Sequence, residues 1–246
     1  MRRLRGIEAL RLGARRSFVL MGVGMALGLV MHTVAARRLG VDEYGVFTYA
    51  LNGATLGSLL LTLGWPTSAM RFVAQYREAE QWGLLRGLMT RSHQVVLSVS
   101  VASALVIALV GRYALTSPSA RLSAALISLM LPVISLGLLR IRLLRGLLRV
   151  SDSIIAGRLA IPLLVVVGLV VLPAVGGVHV VLLWVGAALV VRAVETGRLR
   201  SARPDGVASS AREYRTGEWG RVAIAIALGE VARATLARGR SEEHTS

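Results

Sequence analysis

Three observations predict an all-α fold: a polytopic membrane bundle of six transmembrane helices plus the start of a seventh. The chain carries six long apolar stretches, at 17–36, 47–66, 95–113, 122–139, 154–173 and 178–194. Each is close to the ~20 residues a helix needs to cross ~30 Å of hydrocarbon. A hydrophobic fraction of 54% with a mean hydropathy of +0.64 is more than an ordinary soluble domain carries. The third observation is where the charge falls. With the amino terminus on the cytoplasmic side, 22 arginines share that side and only Arg37, Arg38, Arg112 and Arg121 lie opposite. This positive-inside asymmetry sets the orientation, amino terminus cytoplasmic.

Residues 1–16 form a basic cytoplasmic segment. The apolar run after it exceeds the ~7–15 residues of a secretory signal core and leads into further spans, so it reads as a retained membrane helix. Gly24 with Gly28 in span one, and Gly53 with Gly57 in span two, have the small-xxx-small spacing that lets helix backbones approach. A cytoplasmic loop with Arg71, Arg77, Arg86 and Arg91 follows, and span three begins near Val95. Pro132 in span four and Pro162 early in span five each remove a backbone bond and should bend their helices. Residues 17–195 thus compose the bundle, 196–218 a cytoplasmic linker, and 219–239 a partial helix seven. The last residues, Arg240 to Ser246, read like a translated sequencing adapter and are set aside, so the chain is expected to be a fragment of a longer protein.

The segment from Leu138 to Arg149 has its own pattern. At 100° per residue, Arg142, Arg145 and Arg149 share a wedge of about 60°, and Leu139, Ile141, Leu143, Leu144, Leu147 and Leu148 cover the other side. It reads as an amphipathic helix at the cytoplasmic interface. The three arginines would contact anionic lipid, at ~1 kcal/mol each, or capture a substrate phosphate.

The net charge of +16 raises nucleic acid as a partner, but no aromatic-interleaved basic patch accompanies it, so none is expected. All 29 basic residues are arginine and there is no cysteine. That removes a Walker A lysine, a Schiff-base lysine, a thiolate nucleophile and a cysteine zinc site, and with them most covalent or nucleotide-driven enzymes. No cofactor or metal is expected. His32 is expected at the outer interface, His93 at a solvated helix end, and Asn52 bonding across helices; together they assemble no metal site. Arg71 and Arg158 are the candidate substrate contacts. Each sits at the edge of apolar sequence, where an arginine either snorkels or faces an aqueous cavity.

The run Ala35-Ala36-Arg37-Arg38-Leu39-Gly40-Val41-Asp42-Glu43-Tyr44-Gly45-Val46-Phe47 resembles the signature between the first two helices of polysaccharide-type flippases. These belong to the multidrug/oligosaccharidyl-lipid/polysaccharide exporter superfamily. Leu63-Gly64-Trp65 and Arg71-Phe72-Val73-Ala74 continue the pattern. Gly40 could end one helix in a left-handed turn, and Asp42 and Glu43 favour the start of the next. The resemblance implies one six-helix lobe of a two-lobe transporter that moves lipid-linked oligosaccharide by alternating access, with membrane lipid and glycan-assembly proteins as partners. Two rivals stand beside it: a non-transporting membrane scaffold, and a drug/cation antiporter, which the lack of a buried carboxylate in spans one and two disfavours.

Overall fold

The rings of His32 and Phe47 stand 6.1 Å apart, although fifteen residues of straight helix would part them by ~22 Å. The first helix, α1 (Arg2–Leu61), is therefore folded back on itself, and the break is at Gly40, with φ 73° and ψ 179°. That backbone region is essentially closed to other residues. The positive φ is as the sequence predicts, but the extended ψ makes this a reversal of the chain and not a left-handed helix cap.

The computed structural model describes the backbone of residues 2–62, 64–172 and 176–243, and the side chains of 15–62, 64–172 and 176–229. Pro173 at the end of span five, the side chains of Glu230, Arg233 and Arg238, and those of the 240–246 tail lie outside the described residues. After α1 come α2 (Trp65–Glu78), α3 (Trp82–Tyr113), α4 (Pro118–Gly146) and α5 (Val150–Ile154). A π-helical turn (Ile155–Ala160), α6 (Ile161–Val171), α7 (Gly177–Ser201), α8 (Asp205–Ser209) and α9 (Thr216–Glu243) follow. Among the described residues, five helical segments are long and apolar enough to cross a membrane: Arg15–Leu61, Trp82–Tyr113, Pro118–Gly146, Val150–Val171 and Gly177–Ser201. The first of them contains the Gly40 reversal.

One core joins both limbs of α1 to α4, α6 and α7 through Met31, Ala35, Phe47, Ala50, Ala54, Met130, Val165 and Val191. Glycines set its spacing. A Cβ on Gly53 would stand 2.8 Å from Ile127 Cδ1, and one on Gly57 3.2 Å from Leu131 Cδ1, so this pair brings α1 against α4 as expected. In the other pair Gly24 gives way to the Arg158 Cβ, at 2.9 Å, while Gly28 faces open space. Pro162 has no N–H for the Arg158 carbonyl, and the backbone widens there into the π turn. Pro132 lies inside an uninterrupted α4.

A second core collects large side chains at the other ends of the helices: Trp65, Phe72, Tyr76, Leu85, Leu143, Leu144 and Trp219 among them. It corrects two expectations. The stretch between spans two and three is helical, as α2 and the first turns of α3, which starts at Trp82 and not near Val95. The face of α2 carrying Trp65, Ala69, Phe72, Val73 and Tyr76 is buried, a helical stripe whose burial orders the segment. Nor is Leu138 to Arg149 a separate interfacial helix. α4 runs on to Gly146, with Leu139, Leu143 and Leu144 fully buried in protein, and Leu148 is turned out at φ 60°.

Residues 196–218 are docked on this second core. The Glu213 N–H donates to the Gly83 carbonyl at 3.1 Å. Arg86 Nη1 donates to the carbonyls of Ala208, at 3.0 Å, and Ser210, at 2.7 Å. From α9, the fully buried Trp219 donates its indole N–H to Tyr76 Oη at 2.9 Å.

Candidate functional site: a buried arginine–glutamate cluster

On α7, Arg192 and Glu195 lie one turn apart on the face that also buries Val181, Trp184, Val185, Ala188 and Val191. Arg192 is 7% exposed and Glu195 fully buried. Arg192 lies roughly 22 Å along the helix from Gly177. Its Nη1 is 3.0 Å from Glu195 Oε2. The guanidinium occupies room left by Gly137, where a Cβ would collide with Nη1. From α4, Arg140 Nη1 donates to the Arg192 carbonyl at 2.5 Å.

Two guanidiniums and one carboxylate therefore lie together in a place where unpaired charge is expensive, with Arg192 in ion-pair contact with Glu195 and Arg140 on the Arg192 carbonyl. Arg192 Nε and Nη1, Arg140 Nε and both Glu195 oxygens have no hydrogen-bond partner, the ion pair lacking hydrogen-bond alignment. Beside the cluster is a cavity of about 140 Å³. Val133, Ile134, Leu138, Ile161 and Trp184 wall it, and Arg192 is the one charged residue of its lining.

The sequence placed Arg192 with the cytoplasmic arginines at the end of span six; it is instead inside the bundle. The readable signal was the register: Arg192 and Glu195 follow Trp184, Ala188 and Val191 at helical spacing. The carboxylate found missing from spans one and two is present in the last apolar helix.

Arg71 and Arg158 do not meet in a common pocket. Both are exposed, Arg71 on α2 and Arg158 on the π turn. Arg158 joins Arg142 and Arg145, whose charges bear on one another. Arg142 and Arg145 are half-buried and Arg149 exposed. Arg145 Nε donates to Ser153 Oγ at 3.2 Å, and Asp152 pairs with Arg198 and, at 3.8 Å, with Arg149. Beyond α7, burial and the like charges of Arg200 and Arg86 hold the Arg203 guanidinium below its usual pKa.

His93 is not a solvated helix end: it is half-buried within α3, its Nδ1 2.8 Å from the Met89 carbonyl oxygen. His32 is half-buried against Tyr44 Oη, at 3.1 Å, and Asn52 is exposed. Among the described residues no cluster of histidines and carboxylates could hold a metal ion.

At the opposite end of the bundle the reversal loop clasps the start of α7. Glu43 Oε2 accepts from the Gly177 N–H at 2.5 Å, an anion at a helix amino terminus. Arg38 Nη1 donates to the Leu172 carbonyl at 3.2 Å. Glu43 thus also steadies a helix far along the chain from the one it begins.

Several long apolar helices, one folded back at Gly40 and one carrying a buried ion pair, define a multi-pass helical membrane protein. Residues 14–197, well over half of the chain, match the family described as polysaccharide biosynthesis protein, and the chain belongs to that family. The family lies within the flippase superfamily that the reversal-loop sequence resembles, and its members are typically transporters, not enzymes. No curated protein and no solved structure matches the chain.

Proposed function

We propose that the chain forms a six-crossing bundle of a flippase that moves undecaprenyl-pyrophosphate-linked oligosaccharide from the cytoplasmic to the outer leaflet of the cell membrane. The observation that carries this reading is the family match laid across the apolar helices. Counting the two limbs of α1 separately turns five apolar segments into six crossings. The arginine asymmetry then puts the amino terminus, α2 and α8 on the cytoplasmic side.

In this reading no bond is made or broken. The hydrophilic headgroup crosses beside the bundle in water while its polyprenyl tail stays in lipid. Arg71 and Arg158 are exposed to meet the pyrophosphate, which a guanidinium binds through paired, permanently charged hydrogen bonds. Arg142, Arg145 and Arg149 rest against anionic lipid at the inner face. An ion gradient or the membrane potential, worth ~2.3 kcal/mol per charge per 100 mV, supplies direction.

The test is reconstitution of the protein in vesicles with a fluorescent polyprenyl-pyrophosphate oligosaccharide, read by quenching of the outer leaflet. Transport requires protein-dependent movement, slowed when Arg71 and Arg158 are both replaced by glutamine. Movement no faster than in empty vesicles refutes the reading. The buried Glu195 gives one ground for a second, a cation antiporter of the same superfamily. Uptake of a fluorescent cation under a pH gradient, abolished by Glu195→Gln, would select it.

A further inference from the structure

We propose that the cavity beside Arg192 is a binding site for a phosphate-class oxyanion inside a single helix bundle, separate from the exposed Arg71 and Arg158. Three observations converge on it. Arg192 is more than nine-tenths buried and lines the cavity; its Nε has no hydrogen-bond partner, and its Nη1 meets only Glu195, without hydrogen-bond alignment. Arg192 is paired with Glu195, and the half-buried Arg140, which donates to the Arg192 carbonyl, adds a second guanidinium without a carboxylate of its own, so the cluster carries one positive charge in excess. His93, within electrostatic reach of Arg140, adds no negative charge.

The space suits the ligand. At about 140 Å³ it is close to the ~150 Å³ cavity known to admit benzene, so a single phosphate fits. A guanidinium offers a phosphate two parallel charge-assisted bonds. Apart from Thr55, whose hydroxyl donates to the Leu51 carbonyl, the remaining walls, Val133, Ile134, Ile161 and Trp184 among them, are apolar, as a phosphate carried on hydrocarbon would require. The oxyanion could come from a lipid headgroup or from free phosphate, and the two sources separate by experiment.

Purified protein in detergent is titrated with inorganic phosphate, farnesyl phosphate and farnesol, and tryptophan fluorescence is followed. Trp184, in the cavity wall, is identified as the reporter by Trp184→Phe. Saturation by farnesyl phosphate alone assigns a lipid headgroup, and saturation by inorganic phosphate as well assigns the free anion. An equal response to farnesol, or none to any of the three, overturns the proposal. Arg192→Gln should weaken phosphate binding by about tenfold or more. Glu195→Gln, which removes the competing carboxylate, should tighten it several-fold. Unchanged or weaker binding in Glu195→Gln overturns the site even if Arg192→Gln fails to fold, because a purely structural ion pair gains nothing from that change. The assay reads binding only, so its outcome is independent of whether the chain flips lipid.

Discussion

The two cores of this protein are built from different side chains. The first, between the membrane helices, leans on small residues: Ala35, Ala50, Ala54, Ala156, Ala187 and Ala188, with Gly53 and Gly57 under Ile127 and Leu131. The second, at the ends of α3 and α4 with α2, α8 and α9, is filled by Trp65, Phe72, Tyr76, Trp219 and a row of leucines. In lipid an exposed leucine is already among hydrocarbon, so helices hold together through close contact. Near water, burying large apolar side chains again drives assembly. One chain follows both rules within a few turns of helix.

The largest effect should come from Trp219→Ala, which removes a fully buried ring and its bond to Tyr76. A loss of about 3–5 kcal/mol is expected, read by denaturant unfolding in detergent. Trypsin should then cut faster at Arg212 and Arg215 while the membrane helices stay protected; equal loosening of both regions would mean the cores are one. In the membrane core, Gly53→Val should cost about 1–3 kcal/mol by overpacking against Ile127, seen as a lower melting temperature. A neutral outcome would remove the argument for close contact.

Gly40→Ala should cost a similar ~1–3 kcal/mol through backbone strain alone. Since the chain lacks cysteine, combining His32→Cys with Phe47→Cys across the reversal can report directly, by whether the two thiols crosslink, whether the limbs still meet. Glu43→Gln should cost no more than about 1 kcal/mol, from the loss of charge at the start of α7. Least of all, Arg149→Ala should fall within about 0.5 kcal/mol of the parent, because its ion pair with Asp152 is long and exposed.

The same contrast explains what could be read in the sequence. The membrane helices were legible because a span needs only length and apolar content, and both are visible residue by residue. The reversal was legible because Gly40 and the acidic pair after it stand between two such spans. The second core was hidden by its own chemistry. α2 mixes Arg71, Gln75 and Arg77 with its buried stripe, so it looks like a polar loop until Trp65, Ala69, Phe72 and Tyr76 are placed on a helix. The leucines after Leu138 gave a correct amphipathic pattern with the wrong neighbour, since periodicity shows that a face is buried but not what covers it. Arg192 was misplaced because arginines near a span's end ordinarily reach the inner surface, and that habit was followed over its helical register with Trp184, Ala188 and Val191, which tertiary packing bears out. Arg71 and Arg158 were legible as charges at apolar borders, and both are exposed.

The clasp of Glu43 and Arg38 on the segment before and at the start of α7 carries a mechanical consequence. It ties the first turn-back of the chain to the start of α7, so parting the two there would break both bonds at once, whereas helices that open elsewhere leave the clasp whole, as the ribs of a fan spread from their rivet.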